Sequence, residues 1–147
     1  MFTVLNSKVE DKYRDALISL IDEAHENLVK AVDKFNSNTA ITPINRSDLM
    51  NFPLMQWFEL NDKVFIRRRK NRFKDYLCFD TKMEADGEFG EHFHEDIIES
   101  VEIISGKMHD KATGLDYFTG DIAHYEKGEI HTPIALEKTL LHVLFKP

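Results

Sequence analysis

The sequence predicts a mainly β protein, a single antiparallel sandwich or barrel preceded by a long N-terminal α-helix or a pair of helices. Three observations predict it. Apolar residues recur at steps of three and four from Val9 to Phe35. From Leu54 onward the apolar period switches to two. Turn-forming pairs, Asn61-Asp62, Thr113-Gly114 and Lys127-Gly128, punctuate that second part.

Met1 to Asn6 reads as a short strand or a frayed end. Ser7 followed by Glu10 has the spacing of a capping box, in which each side chain satisfies a backbone N–H at a helix start. The stripe then runs through Val9, Tyr13, Ala16, Leu20, Ala24, Leu28, Ala31 and Phe35, widened by Leu17, Ile21 and Val32. Asn36-Ser-Asn-Thr stops it. Such a helix is on the order of 40 Å long, more than the width of a small barrel. It therefore either bends into two helices or packs part of its stripe on a second subunit, so a homodimer is expected. Thr39 to Pro53 reads as a connector, with extended signals at Thr42-Pro43 and Phe52-Pro53 and a single helical turn at Ser47-Asp-Leu-Met. The division is an extension over residues 1–53 and a barrel over residues 54–147. Strands are expected at Met55–Leu60, Lys63–Arg68, Lys74–Met83, Phe89–His94 and Ile97–Ser105. Others follow at Lys107–Asp110, Leu115–Phe118, Ile122–Glu126 and Thr139–Phe145.

Composition narrows the function classes. A net charge of -7 argues against nucleic acid as a partner, because phosphate binding needs a basic face. The one basic run, Arg67-Arg-Arg-Lys-Asn-Arg72, reads as a solvated hairpin, with a patch for phosphate or an acidic ligand as the alternative. Cys78 is the single cysteine, so no internal disulfide forms, and a small apolar role on a strand is expected. No apolar run has the length of a signal peptide or membrane span, so no membrane partner and a cytoplasmic location are expected.

The chemistry concentrates between Gly87 and Gly106. His92 and His94, two apart on a strand, face the same side. Glu99 follows after a gap long enough for a tight reversal, so both imidazoles and the carboxylate can converge on one point. That donor set suits zinc, copper, iron, nickel or manganese. Glu95 and Asp96 are rival carboxylates but fall in the expected turn.

This stretch resembles the first motif of the cupin superfamily, a His-x-His pair followed by Glu and, seven residues later, Gly. His92, His94, Glu99 and Gly106 occupy those spacings. The leading glycine of the motif falls on Asp86. Gly120, Gly128 and His131 match the second motif, with Glu126 in place of its proline and Ala135 in place of its asparagine. The resemblance implies a jelly-roll barrel over roughly Trp57 to Pro147 and one divalent transition metal (iron, zinc, nickel or manganese). Its ligands would be His92, His94, Glu99 and His131. His124, His142 and Tyr125 fall on strands resembling the wall of the family's pocket and are candidates for it. The resemblance implies a small metal-dependent enzyme, oxygenase-like, acting on a small organic molecule. The alternative is a non-catalytic ligand-binding or sensory module, in which the N-terminal helix transmits a signal or fixes a dimer.

Overall fold

The structure is a computed structural model and describes residues 11–37 and 42–147. The strand or frayed end read at Met1 to Asn6, the capping box at Ser7 and Glu10, and Val9 lie outside the described residues. Helix α1 runs unbroken over Asp11–Phe35, roughly 37 Å at the α-helical rise. Its end is fixed by tertiary bonds: the Phe35 carbonyl accepts the Gly90 N–H at 2.6 Å, and the Asn36 amide donates to the Leu60 carbonyl at 2.8 Å. Among the described residues, its last two turns pack on the barrel, through Leu28, Ala31, Val32 and Phe35. Upstream, Ile18, Leu20 and Ile21 are 44%, 62% and 45% exposed.

The connector is more ordered than its sequence suggested. Strand β1 (Thr42–Pro43) pairs in parallel with β5 (His92–Phe93). Helix α2 (Arg46–Leu49) follows, started by the Asn45 N–H donating to the Asp48 carboxylate at 2.9 Å. Lys34 on α1 meets Asp48 at 2.9 Å and ties the two helices together. Ile44, Leu49 and Phe52 are buried in the same core as the barrel strands.

Two sheets enclose that core. One has six strands in the order β2 (Trp57–Asn61), β3 (Val64–Arg69), β4 (Leu77–Met83), β11 (Thr139–Lys146), β6 (Ile98–Ser105) and β9 (Ile122–Tyr125), all antiparallel. The other has three, in the order β10 (Pro133–Ala135), β7 (Lys107–Asp110) and β8 (Asp116–Phe118). Alternation sets what faces inward: Leu77, Phe79, Thr81 and Met83 from β4, and Leu141, Val143 and Phe145 from β11. Gly106, between β6 and β7, takes φ +99, and a Cβ there would lie 2.4 Å from Thr139 Oγ1. Only glycine makes that turn without strain.

Most strands lie where periodicity puts them, with three differences. β4 starts at Leu77 rather than Lys74, because the Asn71 side chain accepts the Phe73 N–H and donates to the Tyr76 carbonyl across a turn in which Asp75 takes φ 64. β5 is two residues long. β1 and β10 are too short, and each contains a proline, to register as a period-two signal.

The basic run is less solvated than expected. Arg67 and Arg69 both reach Asp80, at 2.7 and 3.1 Å, and His142 reaches its other oxygen at 2.9 Å. Arg67 also lies over Trp57, 4.4 Å from the ring centroid. Arg68 donates to the carbonyls of Met50 and Phe52 at 3.0 and 3.4 Å, fastening the connector to the barrel. Burial pushes the Asp80 carboxyl up, but the hydrogen bonds from Arg67 and Arg69 outweigh it and hold it below the ordinary value. A group whose folded pKa is depressed contributes stability above its unfolded pKa, near ~3.9, and loses it as pH falls through the folded value. Asp80→Asn should therefore lower stability at neutral pH by about 1–3 kcal/mol and flatten its decline below about pH 4. Urea denaturation at several pH values measures this, and identical acid limbs in the two proteins would contradict it.

Candidate metal centre

His92 and His131 lie directly opposite one another, with each backbone N–H donating to the other's carbonyl, at 3.2 and 2.9 Å. This isolated bridge brings the second histidine-bearing segment to the first, and the two rings sit 4.2 Å apart. His94 follows two residues after His92, on the same side, with ring centroids 5.2 Å from His92 and 5.1 Å from His131. All three are buried. Their ligand atoms lie within 4.8 Å of one another, so the three imidazoles can hold a metal ion.

The tautomers follow from the backbone. His92 Nδ1 bonds the Gly90 carbonyl at 2.7 Å, His94 Nδ1 the Ile44 carbonyl, and His131 Nδ1 the Glu129 carbonyl at 3.2 Å. A carbonyl only accepts, so each Nδ1 carries the hydrogen and each neutral ring turns a lone pair outward from Nε2. That is the arrangement that orients histidines for metal binding.

Glu99 approaches His94 and His131 from β6, where it faces inward in phase with Val101 and Ile103. Its Oε1 lies 2.9 Å from His131 Nε2 and 3.3 Å from His94 Nε2. A carboxylate and a neutral Nε2 are both acceptors, so this approach calls for a proton on Nε2 or a metal cation beside both. His131 Nε2 is buried without a hydrogen-bond partner among the described residues, despite that short separation. Two ligands each ~2.1 Å from one ion and at right angles to each other stand roughly 3.0 Å apart. The residues present fit a metal on geometry and on donor chemistry alike.

Electrostatics agree. Burial raises the Glu99 carboxyl, but His131 and then His94 overcome it and hold it far below the ordinary range. Burial, His131 and His94 drive His92 well below its usual value, so it stays neutral. Burial also works against a charged His131, yet the Glu99 carboxylate raises its pKa on balance. The buried carboxylate thus stays ionised and calls for positive charge in an apolar interior.

Tyr125 lines the same cavity. Its ring stacks on His131 at 4.2 Å and 19°, and its hydroxyl donates to Asp110 Oδ2 at 2.9 Å. The other Asp110 oxygen accepts the Thr132 and Ala112 N–H groups at 3.0 and 2.9 Å, holding the loop that carries His131. His124 and His142, candidates for the pocket on sequence, face the opposite way. Inward phase is taken by Ala123 and Tyr125 on β9 and by Leu141 and Val143 on β11. His124 instead meets Ser100 and Glu126 outside the barrel, and His142 meets Asp80. Sequence reading missed Asp110, whose one available signal was sharing a face with apolar Met108. It also missed the carbonyls of Gly90 and Ile44, which no side-chain pattern reveals.

The cavity beside the histidines measures about 40 Å³, room for two or three water-sized groups. Apart from the polar cluster its walls are mainly apolar, with Phe35, Leu49, Phe89, Met108 and Val143 among them.

No family model matches the chain, and no curated protein does. Solved structures do. KdgF from Halomonas sp. is 18% identical at TM-score 0.58, the match covering 63% of this chain and 86% of that one. An RmlC-like cupin from Shewanella frigidimarina is 13% identical at TM-score 0.56, covering 63% and 83%. An acetylacetone dioxygenase from Acinetobacter johnsonii is 13% identical at TM-score 0.50, covering 56% and 59%. With its two antiparallel sheets around a buried histidine cluster and these likenesses, the chain has the cupin fold.

Proposed function

We propose that His92, His94, His131 and Glu99 hold one divalent transition-metal ion, and that the chain is a metal-dependent enzyme of oxygenase type acting on a small organic molecule. The observation that carries this reading is the backbone clamp on all three imidazoles, which leaves three Nε2 lone pairs converging beside an ionised carboxylate. Three imidazoles and a carboxylate suit iron, zinc, nickel or manganese. When bound, such an ion supplies Lewis acidity and, if redox-active, reactivity towards dioxygen. The chain's own residues orient the donors and exclude water. Phe35, Phe89, Met108 and Val143 wall the cavity with apolar surface that favours an uncharged ligand.

A non-catalytic binding or sensory module is the rival, and one observation favours it. Among the described residues, Tyr125 is the one titratable group lining the cavity beyond the four proposed ligands, and its hydroxyl is engaged by Asp110. Burial and Asp110 keep that phenol protonated, so among the described residues no free acid or base faces a substrate.

Untagged protein purified without chelator should carry about one equivalent of metal by elemental analysis, falling to under about a tenth in His94→Ala. Iron-loaded protein should consume oxygen with a member of a panel of small uncharged carbonyl compounds that includes acetylacetone. Full metal in His94→Ala would reject the ligand assignment, and no uptake across the panel would move the account to the binding module.

The reading extends to a homodimer joined through α1. Leu17, Ile21, Ala24, Leu28, Ala31 and Phe35 form a stripe at alternating steps of four and three, the spacing of a helix–helix seam. The last three members pack on the barrel core, directly or against it, while Ile21 and Ala24 stay exposed. The parent should sediment as a dimer and Ile21→Lys as a monomer. A parent that is monomeric at micromolar concentration, or a variant that stays dimeric, would contradict it.

A further inference from the structure

The end of the N-terminal segment packs against the His92 ring and lines the cavity beside the histidines. Phe35, in the last turn of α1, stands 5.6 Å from the His92 ring, 5.6 Å from Phe89 and 5.9 Å from Phe52. Leu49 of α2 lines the same cavity. Both side chains are buried although their helices lie outside the two sheets.

The segment is joined to the histidines through single residues. Gly90 donates its N–H to the Phe35 carbonyl and accepts His92 Nδ1 on its own carbonyl. A Cβ on Gly90 would meet the Ser37 carbonyl oxygen at 2.2 Å and that of Phe35 at 2.9 Å, so the helix end rests directly on this glycine. Ile44 donates to the Phe93 carbonyl at 2.8 Å and accepts His94 Nδ1 on its own. Arg68 fastens Met50 and Phe52 from the barrel side. Upstream of Leu28, by contrast, α1 exposes Ile18, Leu20 and Ile21 and has few contacts with the barrel among the described residues. The helix is an arm anchored at its C-terminal end.

We propose that Phe35 and Leu49 form a plug over the metal centre, and that anything larger than a few atoms reaches the ion only when the end of α1 lifts from Gly90. This rests on the metal-site reading above. The cavity of about 40 Å³ accepts species the size of water or dioxygen with the plug in place. A chelator or an organic substrate needs it displaced. Phe35 is then the residue that sets the size of what enters, and the exposed arm of α1 is the place where dimerisation or a ligand would change its rate of opening. Water exclusion by a closing element is a recognised use of such segments.

The full chain, loaded with cobalt, tests the plug by release of metal to excess chelator, followed by absorbance. Phe35→Ala should hold the same equivalent of metal as the parent and release it at least about tenfold faster, with Phe35→Leu between them. Release rates equal within about twofold at equal stoichiometry would overturn the plug. Hydrogen exchange supplies a readout that needs no metal and no variant. The Gly90 and Ile44 amides should exchange at least about tenfold faster than the Val143 amide in the barrel, because the plug opens without global unfolding. Equal exchange at all three would overturn the plug even in a parent that binds no metal. A metal-free parent with fast Gly90 exchange would instead sink the metal reading and leave a mobile cover over an apolar pocket.

Discussion

An ionised carboxylate inside an apolar barrel is unfavourable unless positive charge lies against it. Glu99 is that carboxylate, and the geometry around it is organised to meet the requirement. Three imidazoles turn their Nε2 atoms towards the space beside it, each held by a backbone carbonyl on its far nitrogen. A proton on His131 satisfies Glu99 in part, whereas a divalent cation would satisfy all four donors together. The reciprocal backbone bonds between His92 and His131 hold two histidine-bearing segments together that the sequence separates by 38 intervening positions.

The N-terminal segment takes part in that centre. Its Ile44 carbonyl fixes the tautomer of His94, and its Phe35 carbonyl accepts the N–H of the glycine that fixes His92. α1 therefore meets the histidines both through the Phe35 carbonyl on Gly90 and through the Phe35 ring beside His92. Ile18, Leu20 and Ile21, upstream of Leu28, are exposed among the described residues, and the proposed dimer would use that stripe.

How much of this was legible depends on what kind of pattern carries it. α1 was readable because an amphipathic stripe repeats over seven turns, and its end came within a residue of Phe35. The long strands were readable because one face is core and the other is wet. The four proposed donors were readable as a spacing resemblance; the structure brings the three histidine ligand atoms within 4.8 Å of one another and sets Glu99 beside His94 and His131. Tyr125 was assigned to the pocket together with His124 and His142, and only Tyr125 lines it. Strand phase decides this, and Glu126 in place of the motif's proline left that phase unanchored. Asp86 stands where the resembled motif has glycine and takes φ 67, a left-handed conformation that aspartate tolerates better than most residues. The departure from the motif there is chemical rather than conformational. The connector's role was not legible, because backbone carbonyls carry it and every residue type has one.

X-ray absorption at the metal edge of the loaded, untagged protein tests the central claim most directly. The account predicts imidazole scattering from three histidines and one light oxygen donor in the first shell, all near ~2.0–2.2 Å. Full stoichiometric binding with no imidazole scattering, or with a sulfur donor that only Cys78 or a methionine could provide, would contradict it.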